Sequence, residues 1–154
     1  DAVDLSTFVD ASQLEYKRAH ADGASANQAD KIWHDERTVG ASGNDDLDLT
    51  SLATTVFDSS VVVDLATVKV LMIVNLSTTA GDELRVGGAG ATAFSAPFNG
   101  DDDAVVEVPP DSAVLLTHRG VGWSVTEGTA DVLRVHNPSA NAIDYRIVIV
   151  GTSV

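Results

Sequence analysis

The chain contains no cysteine. That excludes disulfide staples, thiolate metal sites and a cysteine nucleophile together, and leaves cohesion to packing and hydrogen bonds. Cations are scarce: nine lysines and arginines stand against 23 acids, for a formal net charge of −14. Such a surface repels phosphate backbones and anionic lipids, and the cations are adjacent only at Lys17-Arg18. Neither nucleic acid nor a membrane is therefore expected as a partner. No apolar run approaches the roughly 20 residues that span a bilayer; the longest, Val68 to Val74, is interrupted by Lys69. Aromatics are few as well, with two Trp, two Tyr and four Phe, a thin supply for a sugar-binding platform. Trp33 and Trp123 read as core or interface anchors.

What is abundant is acid, in stretches such as Asn44-Asp45-Asp46 and Asp101-Asp102-Asp103. Two readings of that abundance stand side by side. One is a protein kept soluble in concentrated salt, where self-repulsion is screened; the other is an ordinary acidic protein. The 154 residues suit one domain with a single core. The beginning, Asp1-Ala2-Val3-Asp4, has neither an initiator Met nor an apolar leader, which fits a processed or trimmed chain.

Residues 1–30 differ from the remainder. They hold a lone apolar cluster (Leu5, Phe8, Val9), a mixed patch with Leu14 and Tyr16, and then Ala21 to Ala29, rich in Ala, Ser, Asn and Gly without an apolar period. Such a stretch cannot bury enough surface to offset its ordering entropy, so an extended arm ordered by a partner is expected. Leu5, Phe8, Val9, Leu14 and Tyr16 are its candidate contact residues. A helix over Asp10 to Ala19, capped by Asp10 or Ser12, is the alternative for part of it.

Residues 31–154 read as the domain. Short β-rich runs alternate with turn residues: Ile32 to Val39, a turn at Gly40 to Asn44, and Leu47 to Leu49, together suggesting a hairpin. Val61 to Val63 leads into Val68 to Asn75, whose nearly continuous apolar content predicts a central strand buried on both faces. Further strands are expected at Glu83–Val86, Ala104–Val108, Ser112–His118, Val121–Thr126, Asp131–His136 and Asp144–Val150. About nine strands, broken every 8 to 12 residues or so, indicate an all-β, antiparallel β-sandwich of jelly-roll-like type.

The search for chemistry finds little. Ala41-Ser42-Gly43 and Gly122-Trp123-Ser124 lack the paired glycines of a nucleophile elbow. His20, His34, His118 and His136 are far apart and show no metal-ligand spacing. His34-Asp35-Glu36 offers an imidazole with two carboxylates, but suits a charged strand edge better. Gly87-Gly88-Ala89-Gly90-Ala91 has no following Lys-Ser/Thr and reads as a turn. Asp101, Asp102 and Asp103 are the candidate metal ligands, because a hard cation wants several oxygens from one loop; the EF-hand spacing is missing, and a solvated turn is the competing reading. No cofactor and no catalytic residue are expected.

Several segments nevertheless carry a resemblance. These are Ala26-Asn27-Gln28-Ala29-Asp30-Lys31-Ile32-Trp33-His34-Asp35-Glu36-Arg37-Thr38, Asp46-Leu47-Asp48-Leu49, Thr79-Ala80-Gly81-Asp82 to Val86-Gly87-Gly88, Val125-Thr126-Glu127-Gly128-Thr129-Ala130-Asp131, and Tyr145 to Gly151-Thr152-Ser153. Together they resemble a family of small virion structural proteins of tailed viruses of bacteria and archaea. The resemblance implies a β-sandwich subunit that decorates or cements a capsid, or a minor capsid subunit, located in the virion. It implies a homo-oligomer, a trimer first and a pentamer second, with other virion structural proteins such as the major capsid protein as partners. A tail, fibre or receptor-binding component differs only in its partner, and a β-sandwich carbohydrate-active enzyme is the alternative of another class.

Overall fold

The computed structural model describes Lys17 and residues 19–153. Leu5, Phe8, Val9, Leu14 and Tyr16 lie outside the described residues, as does nearly all of the helix considered over Asp10 to Ala19. The described strands are β1 (Lys31–Val39), β2 (Asn44–Asp48), β3 (Leu52–Val56), β4 (Ser59–Val63), β5 (Thr67–Asn75), β6 (Leu84–Gly87), β7 (Val105–Val108), β8 (Ala113–Thr117), β9 (Trp123–Ser124), β10 (Val132–His136) and β11 (Ile143–Thr152).

Two antiparallel sheets pack face to face. One runs β1-β11-β5-β8, with β9 also on β5; the other runs β2-β10-β6-β7. With the β3–β4 hairpin and β9 set aside, the eight remaining strands follow the order 1-8-3-6 over 2-7-4-5 in chain sequence. That is the interleaving of a jelly roll, in which the chain repeatedly crosses between sheets.

The crossing corrects one expectation. β1 and β2 do not form a hairpin, since β1 pairs β11 and β2 pairs β10. The Gly40–Gly43 turn instead carries the chain from one sheet to the other, so that Val39 and Leu47 bury from opposite sides of one core. Period-2 alternation reports which side of a strand is apolar but not which strand lies beside it.

Alternation builds the core. Leu71 and Ile73 of β5, Ile147 and Ile149 of β11, and Leu133 and Val135 of β10 are all essentially inaccessible to solvent. Burial of each such side chain is worth about 1.5–3 kcal/mol. Strand β5 is central, as expected, but buried on one face only: Val70, Met72 and Val74 stay half-buried on the outside of the sheet. At Gly151 the pairing of β11 with β5 shifts register, and a Cβ there would lie 2.0 Å from the Thr67 carbonyl oxygen. Only glycine lets the two strands approach so closely at this bulge.

Polar groups tie the sheets at one end. Arg37 of β1 donates through Nε and Nη2 to the two Asp45 oxygens of β2 at 2.6 and 2.9 Å, and the buried Tyr145 hydroxyl of β11 donates to the same carboxylate at 2.8 Å. Hydrogen bonding to Asp45 strengthens the Arg37 charge, and burial, reinforced by Asp45, raises the Tyr145 hydroxyl far above its usual range. Buried Asn75 donates to the carbonyls of Asp82 and Val108, bridging β5 to β7 of the other sheet.

Residues 19–30, expected to depend on a partner for order, hydrogen-bond to their own chain. The Asn27 N–H donates to Gly120, the Asp30 N–H donates to Gly151, and the Asp30 carboxylate accepts from the Ser153 N–H and hydroxyl. Backbone groups and single side chains supply the anchorage here, which an apolar-period criterion does not register.

Lys69 is the exception to the apolar interior. It is 1% exposed and its ammonium donates to the Gly120 carbonyl. Burial lowers its pKa below the usual 10.5, so the unfolded chain holds this proton more tightly than the folded one. The resulting penalty is full below the folded pKa and fades as pH rises toward 10.5. Lys69→Met is expected to raise the melting temperature by roughly 2–4 °C near neutral pH, with the gain over wild type shrinking toward about pH 10. Thermal melts of both proteins across that range check it; a loss of equal size at both ends would contradict it. Ile73→Asp is expected to abolish cooperative melting, because an unpaired charge in this apolar layer costs several kcal/mol of a stability of about 5–15 kcal/mol. Circular dichroism on heating reads that outcome directly.

Candidate interaction surfaces

The two sheets present unlike outer faces. On the outside of β1-β11-β5-β8, three rows run in register across all four strands: Ile32, Val150, Val70, Thr117; then His34, Val148, Met72, Leu115; then Glu36, Arg146, Val74, Ala113. The first two rows contain no Asp, Glu, Lys or Arg, and His34 is their one imidazole. Ile32 is 62% exposed and Leu115 59%. Glu36 and Arg146 pair at 2.8 Å and confine formal charge to the third row. An apolar surface spanning four strands is unusual on the outside of a small domain.

The outside of β2-β10-β6-β7 is mostly polar, although Val105 of β7 is 49% exposed on it. Asn44, His136, Arg85 and Glu107 form one polar row in register, and Asp46 sits opposite Arg134 in the next. Arg134 holds both Asp46 oxygens, at 2.6 and 2.8 Å, and reaches the Gly88 carbonyl at 3.1 Å. The hydrogen bonds from Arg134 pull the Asp46 carboxyl below its usual range, and Asp46 in turn raises Arg134. Arg85 and Glu107 approach to 3.7 Å. Exposed pairs like these stabilise by about 0–1 kcal/mol each, so they keep a surface hydrated and specific rather than hold it together.

The β3–β4 hairpin is the second apolar feature. It pairs with neither sheet. Its base is fixed by buried Leu52 and by the Trp33 indole, whose Nε1 donates to the Ala53 carbonyl at 3.0 Å. Beyond the base, Val56, Phe57, Val61 and Val62 are exposed, Phe57 at 98%. The two-residue loop is Phe57-Asp58, with φ of +50° and +60°. Positive φ at both positions is the geometry of the tight hairpin turn that Asn-Gly normally fills. A phenylalanine there costs about 1–2 kcal/mol against a residue at ease in that region, and its ring gains no contact in return. Sequence reasoning missed β3 for this reason: the turn lacks its usual residues, and the available signal was the apolar run Val61–Val63 needing a partner strand.

The other sequence candidates fall apart in space or onto loops. Asp101, Asp102 and Asp103 are exposed on the loop before β7, and one Asp101 oxygen accepts the Asp103 N–H at 3.0 Å, which is a local turn. Alternation splits His34-Asp35-Glu36, placing His34 and Glu36 on the outer face of an edge strand and Asp35 opposite, 3.1 Å from Arg37. His118 accepts the Gly122 N–H and packs edge-on against Trp123 at 5.4 Å, while His136 contacts Asn44 at 2.7 Å. Ser42 and Ser124 lie in a turn and a strand, respectively. Among the described residues no three His, Asp or Glu side chains gather as a metal site would require. No described helix is long and apolar enough to cross a membrane.

No protein-family model matches the chain, and no curated protein matches it.

Proposed function

We propose that this chain is a non-catalytic structural subunit of a virion, a capsid decoration or cement protein or a minor capsid subunit, which binds the shell and associates with copies of itself. The observation that carries the reading is the contrast between its outer faces: one sheet is laced with ion pairs, while the other, together with a projecting hairpin, leaves large apolar side chains in water. A folded monomer gains nothing from that exposure, and a subunit that buries it in an assembly does. A jelly roll supports the reading without deciding it, because unrelated functions share this fold. The resemblance in the turn and strand segments supplies the setting, and the acidity suits particles that must not aggregate in strong salt.

The test is to locate the protein in intact particles by electron microscopy with a bound antibody fragment as marker. Density on the outside of the head is the expected result. Density on the tail alone would overturn the shell assignment, and absence from washed particles would overturn the reading as a whole.

A further inference from the structure

We infer that the β3–β4 hairpin of one copy docks across the outer face of the β1-β11-β5-β8 sheet of a second copy. This deepens the structural-subunit reading and rests on it for the existence of self-association. The geometry names both halves of the contact, which lie on the same chain: exposed Phe57, Val56, Val61 and Val62 on the hairpin, and on the sheet exposed Ile32 and Leu115 with half-buried Val148 and Met72 between them.

Charge selects the partner. A chain of net charge −14 repels its own copies wherever acids are displayed, so copies can meet only where acids are sparse. The hairpin from Leu52 to Val63 contains a single charged side chain, Asp58, at its tip. The first two rows of the sheet contain no acid, Asp22 and Asp30 come near them only at the Ile32 and Val150 end, and among the described residues Arg119, just past the end of β8, is in no ion pair. The lone acid of the hairpin can thus be seated toward Arg119 and away from the Asp22 and Asp30 end of the face. Dimensions agree: five-residue strands extend about 17 Å, and four strands spaced by about 4.8 Å span about 14 Å between the outermost axes.

The hairpin does not cover its own sheet. Its base is pinned through Leu52 and Trp33, and Phe57 and Leu115 are both open to solvent in one chain. The strained turn also acquires a purpose, since holding Phe57 in the left-handed region keeps its ring presented at the tip. Because the two patches differ, a single contact is heterologous and closes into a ring or continues as a filament, while two copies that exchange hairpins about a two-fold axis form a reciprocal dimer.

The 154-residue chain has no cysteine of its own and is well suited to the test. Phe57→Asn keeps a residue that tolerates positive φ and removes the ring, while Leu115→Asp places a charge on the face; both positions are exposed, and melting curves verify that each variant folds. In about 1 M salt, where the screening length is about 3 Å, sedimentation should show wild type as an oligomer and each variant alone as a monomer. Mixing the two variants should restore a dimer, because one intact hairpin meets one intact face. Phe57→Cys mixed with Leu115→Cys should form an intermolecular disulfide under oxidation that neither gives alone. Four results would overturn the inference. Phe57→Cys cross-linking to itself would mean hairpin packs on hairpin. Loss of assembly in Leu115→Asp but not in Phe57→Asn would mean another occupant, such as residues 5–16, covers the face. Full assembly of both variants would place the interface elsewhere and leave the structural-subunit reading intact. A wild type that stays monomeric would remove self-association from that reading as well.

Discussion

Everything in this molecule depends on one apolar layer, a single side chain deep from each sheet, clamped between β1-β11-β5-β8 and β2-β10-β6-β7. Leu71, Ile73, Ile147 and Ile149 meet Leu133, Val135, Leu84 and Val86 across it. A chain without disulfides has no other large source of cohesion, so every second residue of the central strands is committed to the layer. The Arg37–Asp45–Tyr145 cluster closes one end, where a carboxylate accepts from both partners and leaves few polar atoms unsatisfied. With the inner faces fixed, the outer faces are free to diverge, and they do so by the same alternation: the residues next to Ile147 and Ile149 are Arg146, Val148 and Val150.

That freedom resolves an apparent conflict in composition. A strongly acidic surface and an exposed apolar one serve opposite ends, the first keeping molecules apart and the second drawing them together. Here they are largely separated, with the Glu36–Arg146 pair at one end of the apolar face and Val105 on the polar one. Ion pairs such as Arg134–Asp46 occupy one outer face, and Val70, Met72, Val148 and Leu115 the other. In the proposed contact, repulsion would act against approaches that bring acids together and least against the one that joins the neutral surfaces, so that charge would contribute specificity more than affinity.

Much of this was legible in the residues. The run from Val68 to Asn75 named the central strand, and the breakers after Val86, Val108 and His136 named the ends of β6, β7 and β10. Pairing was not legible: the Gly40–Asn44 turn looks like that of a hairpin, and only tertiary contact shows that it passes between sheets. The outer apolar face was hidden for a related reason, since Val148 and Met72 lie far apart in sequence and become neighbours only through the register of β11 on β5. Lys69 was read as an interruption, yet it is buried, its stem among apolar groups and its ammonium on one carbonyl. Phe57-Asp58 escaped because strain of that kind follows no local propensity.

The central claim is that apolar surface drives association while charge opposes it, and sedimentation of the wild-type protein across a salt series tests this most directly. Screening weakens the repulsion of a −14 chain and leaves apolar burial undiminished. The account predicts that the average mass rises from monomer to oligomer as salt increases from about 0.1 M to 1 M and above. Assembly at low salt that dissolves as salt is added would show ion pairs to be the driving force and would contradict it.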